Sequence, residues 1–178
     1  MQKSHWGAFD WAPLEEVSGQ GRYWVRKLDK PSQKRRLNEF LTSDHRRCDS
    51  VFTTLEEKAA AGDKEGTRLH FQRFERGMHR HFKMEEDLFF PAFEARTGMT
   101  RGPTMVMRME HEQMRGILKQ MRQSLEGGDV HGVARACSTL LMVMQQHNVK
   151  EEQMLYAMGE MHLGAEGDAL TLQMQAVV

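Results

Sequence analysis

The chain repeats itself at a step of 66 residues, and whatever it folds into must be built from two like halves. His81-Phe82-Lys83-Met84-Glu85-Glu86 returns as His147-Asn148-Val149-Lys150-Glu151-Glu152. Without a gap, the same step carries His45 to His111, Asp44 to Glu110, Phe89-Phe90 to Leu155-Tyr156, and Gly62-Asp63 to Gly128-Asp129. Each half reads His and then, 36 residues on, His-x-x-x-Glu-Glu. Imidazole and carboxylate in that combination suit borderline-to-hard divalent metals such as iron.

Four apolar seams with steps of three and four predict four amphipathic helices. The first runs Leu37, Leu41, His45, Cys48, Phe52, Leu55, Ala59, behind a cap at Ser32 after Pro31. The second runs Phe71, Phe74, Met78, His81, Glu85, Leu88, Ala92, with Pro91 expected to kink or shorten its end. The third is Met107, His111, Met114, Leu118, Met121, Leu125, and the fourth Val133, Cys137, Leu140, Met144, His147, Glu151, Met154, Met158. Breaks at 61–63, 96–98 and 127–129 are short. The fold class is therefore all-α, an up-down-up-down antiparallel four-helix bundle over residues 32–162. An aromatic-rich arm, residues 1–31, precedes it, and an extension, residues 163–178, follows it. Fifteen methionines fit a soft helical core.

The arm holds all three tryptophans, Trp6, Trp11 and Trp24, with Phe9 and the break Ser18-Gly19-Gln20-Gly21. Aromatics at that density are expected to pack, on their own bundle or on a second subunit as a homodimer contact. Lys and Arg number 25, as do Asp and Glu, so no charge footprint points to nucleic acid or a membrane surface. Two cysteines make no disulfide framework, no run is long enough to span a bilayer, and the first residues lack the apolar core of a signal peptide. A cytoplasmic location is the expectation.

The turn near Gly62-Asp63 lies midway between His45 and His81, each about 18 residues or roughly 27 Å of helix away. His111 and His147 stand the same way around Gly128-Asp129, and His81 and His111 around residues 96–98. All four histidines should meet in one layer. Glu85 and Glu151 follow His81 and His147 by one turn on the same face. Two buried carboxylates without partners cost several kcal/mol, and cations remove that cost. Six side chains, two of them able to bridge, suit two metals: His45, His81, His111 and His147 as terminal ligands, Glu85 and Glu151 as bridges.

Glu86 and Glu152 lie about 100° from that face and are read as solvated or as partners to an imidazole N–H. His70 and His79 fall off the seam and are read as surface residues. His5, His131 and His162 sit near element ends, with no carboxylate in phase. Cys48 is one turn from His45 and reads as packing. Tyr156, five residues past Glu151, reads as a packing or surface residue that would reach a bound ligand only in the less favoured case.

The pattern His45, His81-x-x-x-Glu85, His111, His147-x-x-x-Glu151 on antiparallel helices resembles the hemerythrin-like, His/His/Glu cation-binding domains, over about residues 32–160. The resemblance implies a non-haem centre of two iron ions with carboxylate bridges, manganese and zinc being compatible with the same donors. It implies a small diatomic ligand, oxygen or nitric oxide, held for carriage, scavenging or sensing. Ferritin-like bundles place Glu before His as Glu-x-x-His, and that order is absent. Oxygen-carrying hemerythrins have a fifth histidine one turn before the third ligand; here that position is Met107, a poor iron ligand, which makes reversible oxygen carriage a weaker expectation than metal binding. A redox enzyme or an iron donor for iron–sulfur repair is the alternative, but the relatives implied there often carry a cysteine-bearing N-terminal domain. Residues 1–47 hold no cysteine. A metal-stabilised interaction module that docks through its arm is the third reading.

Overall fold

The structure, a computed structural model, describes residues 36–178. The aromatic arm and the Ser32 cap lie outside the described residues. Those described are helical without strands: α1 Leu37–Ala60, α2 Lys64–Met84, α3 Phe90–Thr97, α4 Pro103–Glu126, α5 Val130–Lys150, α6 Tyr156–Leu163 and α7 Ala165–Gln175. Single π-helical turns, Glu85–Phe89 and Glu151–Leu155, join α2 to α3 and α5 to α6. None of these helices is long and apolar enough to cross a membrane.

The repeat is visible in how the helices start and stop. Gly62 and Gly128 take φ of +70° and +73° in the turns after α1 and α4, a conformation that costs a residue with a Cβ about 1–2 kcal/mol. Asp63 and Asp129 then cap α2 and α5 by accepting from the N–H of Gly66 at 2.9 Å and of Gly132 at 2.8 Å. A Cβ on Gly66 would stand 2.3 Å from Asp63 Oδ2, and one on Gly132 2.4 Å from Asp129 Oδ2. A side chain at either position would oblige the cap carboxylate to shift.

α1 packs on α2 and α5, α4 on α5 and α2, and α3 on α6. The seam residues split into two apolar clusters. One contains Phe52, Leu55, Phe71, Phe74, Met114, Leu118, Val133 and Leu140. The other contains Leu37, Leu41, Phe89, Phe90, Phe93, Met107, Leu155 and Tyr156. Between them stand the buried histidines, one on each of the four long helices, and the buried Glu85 and Glu151, which open the two π-helical turns.

Beyond Glu85 and Glu151 the sequence seam is corrected by one residue. Phe89 and Phe93 are buried where Leu88 and Ala92 were expected, and Leu155 and Gly159 where Met154 and Met158 were; Met154 is 47% exposed. The π-helical turns account for it: Phe90 N–H bonds to Glu85 O and Tyr156 N–H to Glu151 O, each turn taking in one extra residue. Pro91 does not cause this, because Ala157 holds its place in the second copy and the turn is the same. The stretch after Gly164 forms α7, which buries Leu170, Thr171 and Met174, and Arg80 Nε donates to the Val177 carbonyl at 2.8 Å.

Candidate metal centre

All six sequence-predicted site residues are buried and meet in the layer between the two clusters. The ring nitrogens face each other in pairs: His45 Nε2 is 3.1 Å from His81 Nε2, and His111 Nε2 is 3.2 Å from His147 Nε2. Glu85 Oε2 lies 3.3 Å from His81 Nε2 and 3.2 Å from His111 Nε2. Glu151 Oε2 lies 3.2 Å from both His45 Nε2 and His147 Nε2. Each glutamate therefore touches one histidine of its own half and one of the other. Donor atoms of His81, Glu85, His147 and Glu151 all fall within 4.8 Å of one another, a grouping that can hold a metal ion.

The outward nitrogens are served by a ring of carboxylates. His45 Nδ1 is 2.8 Å from Glu152, His81 Nδ1 3.2 Å from Asp44, His111 Nδ1 2.7 Å from Glu86 and His147 Nδ1 3.0 Å from Glu110. Those contacts let each Nδ1 donate its N–H outward and leave every Nε2 facing the interior. Of the two readings open for Glu86 and Glu152, the structure has them partnering imidazole N–H groups. Asp44 and Glu110 went unassigned in the sequence, although the 66-residue step pairs them beside His45 and His111. The ring is itself anchored: Arg47 and Arg80 donate to Asp44, Arg115 to Glu86, and Lys150 to Glu110. Burial works against the charge on Glu86, but hydrogen bonds from His111 and Arg115 outweigh it and bring its pKa to about 2. Asp44 is lowered in the same way by His81 and Arg47 against its burial.

Inside the layer, Glu85 Oε2 and Glu151 Oε1 are buried with no hydrogen-bond donor. Burial opposes ionisation of Glu85, yet the positive charge of His81, with His111 beside it, holds its pKa well down. Burial likewise opposes charge on His81, while Glu85 and Asp44 raise its pKa well above the ordinary value. His45 and His147 move upward for the same reason, through Glu151 with Glu152 and Glu110 respectively. Inward-facing ring nitrogens and orphaned carboxylate oxygens make a concentrated demand for positive charge, which protons meet in part and a cation meets without unpairing anything. The donor set fits a metal.

Two further residues change the picture of the site. Tyr156, read from the sequence as packing or surface, is fully buried; its hydroxyl lies 2.7 Å from Glu85 Oε1, to which it donates, and 3.0 Å from both Glu151 Oε2 and His45 Nε2. In an α-helix it would point about 140° from Glu151. The π-helical turn brings it round. Met107 is buried in the cluster of Phe89, Phe90 and Phe93 and brings no nitrogen to the layer. His79, His131 and His162 are exposed and His70 half-buried, and Cys48 packs beside Arg47 in the other cluster.

Asp44 gives a test of the outer ring. Asp44→Asn removes the charge facing His81, and metal affinity is expected to fall about 10–100-fold in competition with a chromophoric chelator. Unchanged affinity would show that Asp44 only ties Arg47 and Arg80 in place.

No curated protein matches the chain. Residues 36–159, more than two thirds of the 178, match the hemerythrin HHE cation-binding domain. That span takes in the four histidines, both glutamates, their carboxylate ring and Tyr156, and the chain belongs to the hemerythrin HHE cation-binding family.

Proposed function

We propose that this is a non-haem di-iron protein that binds a small diatomic ligand, oxygen or nitric oxide, for carriage, scavenging or sensing. His45, His81, His111 and His147 are the terminal ligands and Glu85 and Glu151 the bridges. The four long helices, in this reading, form an up-down-up-down bundle: α1 and α4 run from the Met107 cluster toward the Phe52 cluster, and α2 and α5 run back. The observation that carries the proposal is the buried, donor-poor pair of carboxylates ringed by inward-facing imidazoles. Iron held there supplies a redox-active Lewis acid. The protein's own contribution is to hold the imidazoles in one tautomer and to keep water out with Phe82, Phe90, Met107 and Met144 on either side of the layer. An apolar surround admits neutral diatomics and disfavours larger or charged molecules.

The deciding measurement is metal content with an absorption spectrum taken reduced under argon and again in air. Two irons per chain and a visible band that reverses on deoxygenation are expected. Two irons that oxidise without reversal would move the reading from oxygen carriage to a sensor, a redox enzyme or an iron-handling protein, and a preparation that takes up no iron would end it.

A further inference from the structure

Glu85–Phe89 and Glu151–Leu155 are matched turns, and each delivers the next residue to the layer. The delivered residues are not matched. In the first half it is Phe90, whose ring stacks on His111 at 5.8 Å between centroids and 19° between planes. In the second it is Tyr156, whose oxygen enters the cluster of donors.

The spacing of that cluster is informative. Tyr156 Oη is 3.0 Å from His45 Nε2 and 3.0 Å from Glu151 Oε2, while His45 Nε2 and Glu151 Oε2 are 3.2 Å apart and His45 Nε2 and His81 Nε2 3.1 Å. Around an octahedral ion with bonds of about 2.1 Å, neighbouring donors stand about 3.0 Å apart. The Tyr156 oxygen thus sits among these atoms as a donor to the same ion would. One hydrogen bond to Glu85 would satisfy a buried hydroxyl; the further approach of Tyr156 Oη to both His45 Nε2 and Glu151 Oε2 goes beyond that need.

We propose that Tyr156 is a seventh protein ligand of the centre, binding the metal held by His45 and His81, and that the exogenous ligand consequently enters on the His111/His147 side, where Phe90 offers no oxygen. The assignment rests on the dinuclear reading above. As the metal–oxygen bond forms, the phenolic O–H bond breaks and its proton leaves to solvent; no electron is transferred.

The test uses the full chain loaded with iron and oxidised. Tyrosinate bound to ferric iron gives an intense visible absorption, and exciting it enhances the ring and C–O vibrations of the tyrosine in the resonance Raman spectrum. Wild type is expected to show both and Tyr156→Phe to lose both while still holding two irons; Phe90 shows that a phenyl group is accommodated at this place in the repeat. Azide, the ligand probe, is expected to bind once per wild-type centre and twice in Tyr156→Phe, since the vacated position takes a second. A wild-type protein with two irons but without tyrosine vibrations overturns the ligand assignment and leaves the dinuclear reading standing. One azide in both proteins overturns the division of roles between the two sides. Wild type that takes up no iron overturns both readings together.

Discussion

Glu151→Ala is expected to leave at most one metal ion per chain, and His81→Ala likewise, as read by elemental analysis of protein loaded under identical conditions. Glu151 Oε2 stands 3.2 Å from a histidine of each half and its other oxygen has no protein donor, so no second group replaces it as a bridge. His81 is held between Asp44 outside and Glu85 inside, and removing the ring takes one partner from each of two buried carboxylates at once. Breaking a buried charge network in this way typically costs about 3–5 kcal/mol, which as binding energy is more than a hundredfold in affinity. Two metals per chain in either variant would refute the ligand assignment. Circular dichroism taken alongside separates loss of metal from loss of fold.

Stripping the metal is expected to lower the melting temperature, and the gap between loaded and stripped protein is expected to widen as pH rises. At free metal a hundred times the dissociation constant the loss is about 2.7 kcal/mol, or roughly 5–10 °C for a chain of this size. The pH dependence follows from the histidines. In the stripped protein Glu85 and Glu151 raise the pKa of His81, His45 and His147 above the ordinary value of 6.5 against the pull of burial. The stability those protons contribute is complete below the unfolded value and is lost as pH climbs through the raised folded values. Glu85 and Glu151 act in the opposite direction at the acid end: burial raises their pKa, the histidines lower it further, and their contribution disappears only as pH falls below about 4. Metal binding needs neutral imidazoles and therefore strengthens over the range in which the stripped protein weakens. Differential scanning calorimetry between about pH 6 and 8, with and without chelator, reads the difference directly; a gap that narrows with pH would contradict the ionisation scheme.

The ligand-type residues were legible because each is marked twice, by its seam and by the 66-residue step. His45, His81, His111, His147, Glu85 and Glu151 all keep an α-helical phase with their neighbours, and counting sufficed to bring them together. Asp44 and Glu110 carried only one mark. A carboxylate next to a histidine in a helix ordinarily points to solvent, and their role depends on which helix lies across from them, a tertiary fact. Tyr156, with the seam beyond Glu85 and Glu151, escaped for a different reason. A π-helical turn breaks the period on which seam counting relies, and nothing in the composition of Glu-Glu-Asp-Leu-Phe or Glu-Glu-Gln-Met-Leu announces one. The clue available was the step itself, which sets Phe90 against Tyr156, an apolar ring against one with a hydroxyl, in otherwise like surroundings.

The carboxylate ring crosses the repeat. Asp44 and Glu110 each orient a histidine of their own half, but Glu86 reaches His111 and Glu152 reaches His45 in the other. A polypeptide of one half alone would hold two of the four imidazoles and would complete the constellation only by pairing with a copy of itself about a twofold axis. Such a pair is bound to be identical on both sides: a hydroxyl placed on one would appear on the other. Two units in one chain are free of that constraint, and with Tyr156 standing where the repeat sets Phe90 the centre has two unlike faces inside a scaffold whose helices repeat.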